Sequence, residues 1–199
     1  MAVDVGQAAP DFTLADTARQ PRSLKEFAGQ NLVLAFFPGA FTGGCTVEAC
    51  TFRDSAAQYS SLGAQVVGVT VDSPIAQKAW ADANQLTFPI LSDHSRKVIE
   101  AYGVAFPNFL GLDGYTSSQR AIFVIDKSGT VRHKEVVSPG AQVNFDAINQ
   151  ALALRFSVEK NTQPPGLTNA AQARTTDAGS GTCSSISMQV TVSKCAGDS

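Results

Sequence analysis

Residues 31–50 read NLVLAFFPGAFTGGCTVEAC, and the way this stretch is read decides the fold. Its first part, NLVLAFFP (31–38), is an unbroken apolar run closed by a proline, the pattern of a strand buried on both faces. Glycines follow. Cys45 then stands at the head of residues 44–62, where Val47, Phe52, Ala56 and Tyr59 recur at three- and four-residue spacing before Gly63 closes the segment, so a helix is predicted there. A strand that turns through glycines into a helix sets a cysteine at a helix N-terminus.

The flanking sequence repeats the alternation. QVVGVTVD (65–72) is a second β-branched strand, and SPIAQKAWADANQ follows with Ser73 as cap and Pro74 at the first helical position. FPIL (88–91) is a short strand, and SDHSRKVIEAYG opens with capping residues and ends at Gly103. RAIFVID (120–126), the turn KSG and TVRHKEVV (130–137) form a hairpin, and NFDAINQALALRF (144–156) a last amphipathic helix. Alternating strands and helices followed by a hairpin predict an α/β sheet with helices on both faces. The central strands should be parallel and their crossovers right-handed.

The composition divides the chain. Residues 157–199 hold no aromatic side chain and are rich in Ser, Thr, Gly, Ala and Gln. We therefore expect one domain over 1–156 and a flexible or loosely docked polar extension over 157–199, in which SISMQVTVSK is a candidate edge strand. With 16% charged residues and a net charge of −2, neither nucleic acid nor a membrane surface is an expected partner. No apolar run approaches the ~20 residues of a membrane span. MAVDVGQAAPDFTL shows no basic start and apolar block, so a cytoplasmic address is expected. There, thiols are normally kept reduced.

Three chemistries compete for GAFTGGCT. A phosphate loop would need a lysine where Cys45 stands. A metal site would join Cys45 and Cys50 to Cys183 and Cys195, but the distant pair lies where no core is expected. A reactive thiol at a helix N-terminus fits best, because unpaired N–H groups and the positive end of the macrodipole favour a thiolate there. A buried inert cysteine is the structural alternative. His94 and His133 read as surface residues and Trp80 as core.

FFPGAFTGGCTVEACTFRD resembles the active-site segment of the peroxiredoxins, whose P-x-x-x-T-x-x-C pattern is met by Pro38, Thr42 and Cys45. The likeness runs over about residues 3–156 and takes in APDFTL, GVTVDSP, FPILSD and RAIFVIDKSG with Arg120 at its head. The wording CT-x-E-x-C-x-FRD is similar to the bacterioferritin-comigratory (Q-type) and alkyl hydroperoxide reductase E-like groups. The resemblance implies a thioredoxin-like fold with a central mixed sheet flanked by helices. It implies a thiol-dependent peroxidase that reduces hydrogen peroxide and small alkyl hydroperoxides. Such an enzyme uses no metal, haem or flavin, is recycled by a thioredoxin-like or other thiol reductant, and is a monomer or homodimer.

In that reading Cys45 is the nucleophile and becomes a sulfenic acid. Arg120 stabilises the thiolate and the leaving oxygen, Thr42 donates to sulfur or peroxide, Pro38 shields the sulfur, and the N–H groups of Gly44 and Cys45 complete the cradle. Glu48, one turn on, would orient the arginine, but a glutamate early in a helix has an ordinary explanation, so it stays outside the catalytic set. Cys50 is implied as the resolving cysteine, with a small inert core residue on the helix as its structural alternative. Five residues along an intact helix separate Cα atoms by about 8.7 Å, and a disulfide needs less than ~7 Å, so resolution would require unfolding of about residues 43–51. Cys183 and Cys195 could resolve Cys45 from a flexible arm, but are expected to be idle or mutually paired. FPNFLGLDGYTSSQ (106–119) should border the substrate opening or a dimer contact. A peroxide-sensing regulatory protein that acts through protein contacts is the competing function. A disulfide oxidoreductase would need a C-x-x-C pair that is absent.

Overall fold

The computed structural model describes residues 2–138 and 140–161. It begins with a short hairpin that the apolar pattern did not announce: β1 (Thr13–Asp16) and β2 (Pro21–Ser23) pair antiparallel. The apolar run at the centre forms β3 (Asn31–Phe36), every residue of it buried. After a tight turn come α1 (Gly43–Asp54) and α2 (Ala56–Ser61), then β4 (Ala64–Thr70), α3 (Pro74–Ala83), β5 (Ile90–Ser92) and α4 (Lys97–Ala101). A two-stranded ribbon of β6 (Ala105–Phe106) and β7 (Ser117–Ser118) precedes the hairpin of β8 (Arg120–Ile125) and β9 (Val131–Val137). Helix α5 (Phe145–Asn161) continues past Phe156, where the composition changes. The proposed edge strand, Cys183 and Cys195 lie outside the described residues.

Seven strands form one mixed sheet in the order β2-β1-β5-β4-β3-β8-β9. The expected parallel centre is β3–β4–β5, while β8 joins the other side of β3 antiparallel. Because side chains alternate along a strand, β3 feeds two cores. Leu32, Leu34 and Phe36 pack on one face with Phe123, with Ile99 of α4 and with Tyr102 just past its end. Val33, Ala35 and Phe37 pack on the other with Ala49 and Phe52 of α1, Trp80 of α3 and Ile148 of α5. Cys45 belongs to the second core. Helices therefore cover both faces, as expected.

Local signals explain most boundaries. Ser73 accepts from the N–H of Ala76 at 3.2 Å with Pro74 at the helix start, the predicted cap. The Asp93 carboxylate takes the N–H groups of Val98 and Ile99 at 3.0 and 2.8 Å and so starts α4 later than its polar lead-in implied. The single helix predicted over 44–62 is instead two, broken at Ser55. Val47, expected on its apolar face, is 51% exposed. The stripe that faces the core is Cys45, Glu48, Ala49 and Phe52, whose i, i+3, i+4, i+7 spacing is the helical repeat; Val47 falls off it.

Candidate active site

The site forms where β3 ends and α1 begins. Thr42 has extended backbone and is the residue before the helix. The N–H groups of Gly43, Gly44 and Cys45 occupy the first turn, where an α-helix supplies no carbonyl partner. Cys45 is fully buried, its sulfur held within a helix start that favours negative charge.

Arg120 reaches the sulfur from a separate element. It is the first residue of β8, which pairs with β3 so that Ala121 lies opposite Phe36; the strand pairing itself delivers the guanidinium to the end of β3. Its Nη2 donates to Cys45 Sγ at 3.5 Å, and its Nη1 donates to the carbonyl of Gly44 at 3.3 Å and to Glu48 Oε2. One planar fork thus touches the nucleophile, the backbone beside it and a carboxyl one turn on. A Cβ at Gly44 would lie 2.8 Å from Arg120 Nη2, so any larger residue there would push the guanidinium from its place.

Glu48 is wholly buried. Burial pushes its carboxyl up to about 7, against the pull of the Arg120 charge, and its second oxygen has no protein partner. Sequence reasoning left this residue aside. The signal that marks it is its place in the core-facing stripe, where a glutamate needs a partner.

The remaining expected residues are close by, with one difference. Pro38 is half-buried and its carbonyl accepts from Ser117 Oγ of β7. Thr42 does not direct its hydroxyl at sulfur here; Oγ1 donates to the carbonyl of Gly39 at 2.9 Å and closes the tight turn. Cys50 is buried further along α1, so both cysteines sit on one continuous helix as separate thiols. Trp80 is core as predicted, and its Nε1 donates to Thr46 Oγ1 at 3.1 Å. His94 is exposed, and His133, half-buried on β9, lies 3.8 Å from Glu135. A cavity of about 560 Å³ lies against Cys45, lined also by Pro38, Arg120, Phe106, Phe109, Leu110 and Val136. The segment 106–119 therefore borders the opening.

Comparison with known proteins places the chain. Residues 5–134 match the model of the AhpC/TSA family. The chain belongs to that family. Among its relatives, the chloroplastic peroxiredoxin Q of Populus jackii is 41% identical over 130 residues, 65% of this chain and 59% of the relative. That of Arabidopsis thaliana is 42% identical over 130 residues, again 65% of this chain and 58% of the relative. The chain thus spans somewhat under three fifths of the length of these plant peroxiredoxins. The crystal structure of peroxidoxin BcpB from Mycobacterium tuberculosis superposes with a TM-score of 0.66 at 32% identity, covering 77% of this chain and 97% of that one. This AhpC/TSA chain accordingly has the thioredoxin-like fold, with the mixed sheet described above.

Proposed function

We propose that the protein is a thiol-dependent peroxidase for hydrogen peroxide and small alkyl hydroperoxides. The observation that carries this reading is the Arg120 Nη2 donor 3.5 Å from a sulfur at the start of α1. Family membership supports it independently. The Cys45 thiolate attacks one peroxide oxygen: an S–O bond forms, the O–O bond breaks, and the departing oxygen leaves as alkoxide or hydroxide and takes up a proton. Sulfur is oxidised to the sulfenic acid and the peroxide is reduced to alcohol or water. Arg120 and the first-turn N–H groups stabilise the charge as it moves onto the leaving oxygen. Pro38 covers the sulfur and excludes water. Thr42 would have to release the Gly39 carbonyl to donate to a bound peroxide.

Cys50 is the proposed resolving thiol. Its sulfur displaces water from the sulfenic acid, giving a Cys45–Cys50 disulfide that a thioredoxin-like or other dithiol reduces in a cytoplasmic setting. Both cysteines are on α1, about 8.7 Å apart at Cα if the helix is intact, so the step requires the first turns of α1 to open. The test is steady-state peroxide consumption with a dithiol donor, together with peptide mapping after one equivalent of peroxide. Sustained turnover that Cys45→Ser abolishes, with a 45–50 linkage, supports the reading. A single oxidation that then stalls would identify a peroxide sensor instead, and turnover that persists in Cys45→Ser would overturn the assignment.

A further inference from the structure

The turn that carries the nucleophile is held from outside by a residue that touches neither sulfur nor arginine. Asp72 follows β4 by two positions, and its Oδ2 accepts the N–H of Ala40 at 2.8 Å across 32 residues of chain. The same oxygen accepts Thr70 Oγ1 at 2.8 Å. That hydroxyl in turn accepts the Asp72 N–H at 3.0 Å and Gln77 Nε2 at 3.0 Å. Gln77 is fully buried and also reaches the carbonyl of Leu91 at 2.8 Å. A continuous set of bonds therefore runs from α3 through the end of β4 to the backbone of residue 40.

The next residue shows why this matters. Phe41 has φ +60° and a side chain 60% exposed. A left-handed conformation is unfavourable for a non-glycine residue, and persists when the surroundings over-determine it. No core packing of the Phe41 ring offsets that cost. The fixed points are on its two sides: Asp72 grips Ala40, and beyond it Thr42 donates to Gly39 and accepts the Thr46 N–H at 2.9 Å. The reversal at Phe41 sets where α1 begins, and with it the direction of the first-turn N–H groups and of Sγ relative to Arg120, which arrives on a different strand.

We propose that Asp72 is a positioning residue for Cys45, acting as the acceptor that locks the Ala40–Phe41 reversal. The inference rests on reading Cys45 as the peroxide-reducing thiolate. The experiment compares Asp72→Ala and Asp72→Asn with wild type in two measurements: single-turnover oxidation of Cys45 by hydrogen peroxide, and the pH profile of Cys45 alkylation by iodoacetamide. Misplacing a reacting group by about 1 Å can cost on the order of 100-fold, so Asp72→Ala should slow oxidation by about 10- to 100-fold and shift the alkylation midpoint to higher pH. Asp72→Asn, whose amide oxygen can accept both bonds, should stay within about threefold of wild type in both. A merely structural role would lower the melting temperature of Asp72→Ala without moving the alkylation profile of the folded protein, and that result overturns the proposal. So does an Asn variant as slow as the Ala variant. Should Asp72→Ala fail to fold, Thr70→Val frees the carboxylate to swing and should show the same two changes in smaller measure; an unchanged rate and profile there overturn it equally. If wild-type protein failed to react with peroxide, the functional reading would fall while the alkylation profiles still decided the role of Asp72.

Discussion

Arg120 makes three contacts from one guanidinium, and a lysine could not reproduce them. A single ammonium can serve the sulfur or the Glu48 carboxyl, not both in fixed geometry. Arg120→Lys should therefore keep the fold but lower the second-order rate of peroxide reduction by about 100-fold, the scale of losing a charge-stabilising donor; stopped-flow oxidation kinetics measure this. Glu48 gives a pH prediction whose sign is fixed. Its carboxyl is raised in the folded protein to about 7 from an ordinary 4.5, chiefly by desolvation, so the folded state binds the proton more tightly than the unfolded chain. The contribution is fully present below pH 4.5 and is lost as pH rises through 7. Melting temperature should accordingly decline between about pH 5 and 7.5 in wild type, and Glu48→Gln should flatten that decline. An unaltered profile in the variant would place the titration elsewhere. Pro38, Thr42, Cys45 and Arg120 were marked in advance by the resemblance of their segments to the family pattern, and the fold brings all four to one cavity. Asp72 was not legible: its role depends on meeting Ala40 across 32 positions, which no local pattern records.

Helix α1 carries both proposed redox cysteines, and its stability near the start sets how readily they can meet. The Trp80–Thr46 bond pins the first turn to α3. Removing its acceptor with Thr46→Val should raise the population of the opened turn roughly fivefold, the equivalent of about 1 kcal/mol for one hydrogen bond. Amide exchange over residues 43–50 should become faster, and the 45–50 disulfide should form sooner after sulfenic acid appears. Slower linkage in that variant would argue that opening is not the limiting event. Strong periodic segments such as β3, β4 and α3 were read correctly from sequence, since burial on two faces or a cap with proline leaves a clear trace. The β1–β2 hairpin was missed because TLAD and PRS are too short and polar to alternate. The break at Ser55 was missed because the apolar spacing continues across it to Tyr59, which is buried on α2.

The molecule as a whole keeps its chemistry on one face of the sheet and a second core on the other. Phe36, Tyr102 and Phe123 form a mutual aromatic cluster with centroids 5.0–5.7 Å apart, all fully buried and on the side away from Cys45. Phe123→Ala should cost about 3–5 kcal/mol in chemical denaturation, while below the transition the folded fraction should retain wild-type peroxide kinetics. A large kinetic defect in fully folded variant would show that the two faces are coupled through β3. Fold class was open to sequence because alternation of strands and helices leaves few topologies; the full strand order was not, since the N-terminal hairpin joins through β5 rather than through its chain neighbour.

The chain contains one tryptophan. That indole is shut away from water and bonded to Thr46, the residue next to Cys45, so the molecule carries its own optical reporter. Any loosening of the turn around position 46 changes the polarity and hydrogen bonding felt by a single emitter. Intrinsic fluorescence should consequently follow the redox cycle in real time, with no label attached and no second indole to blur the signal.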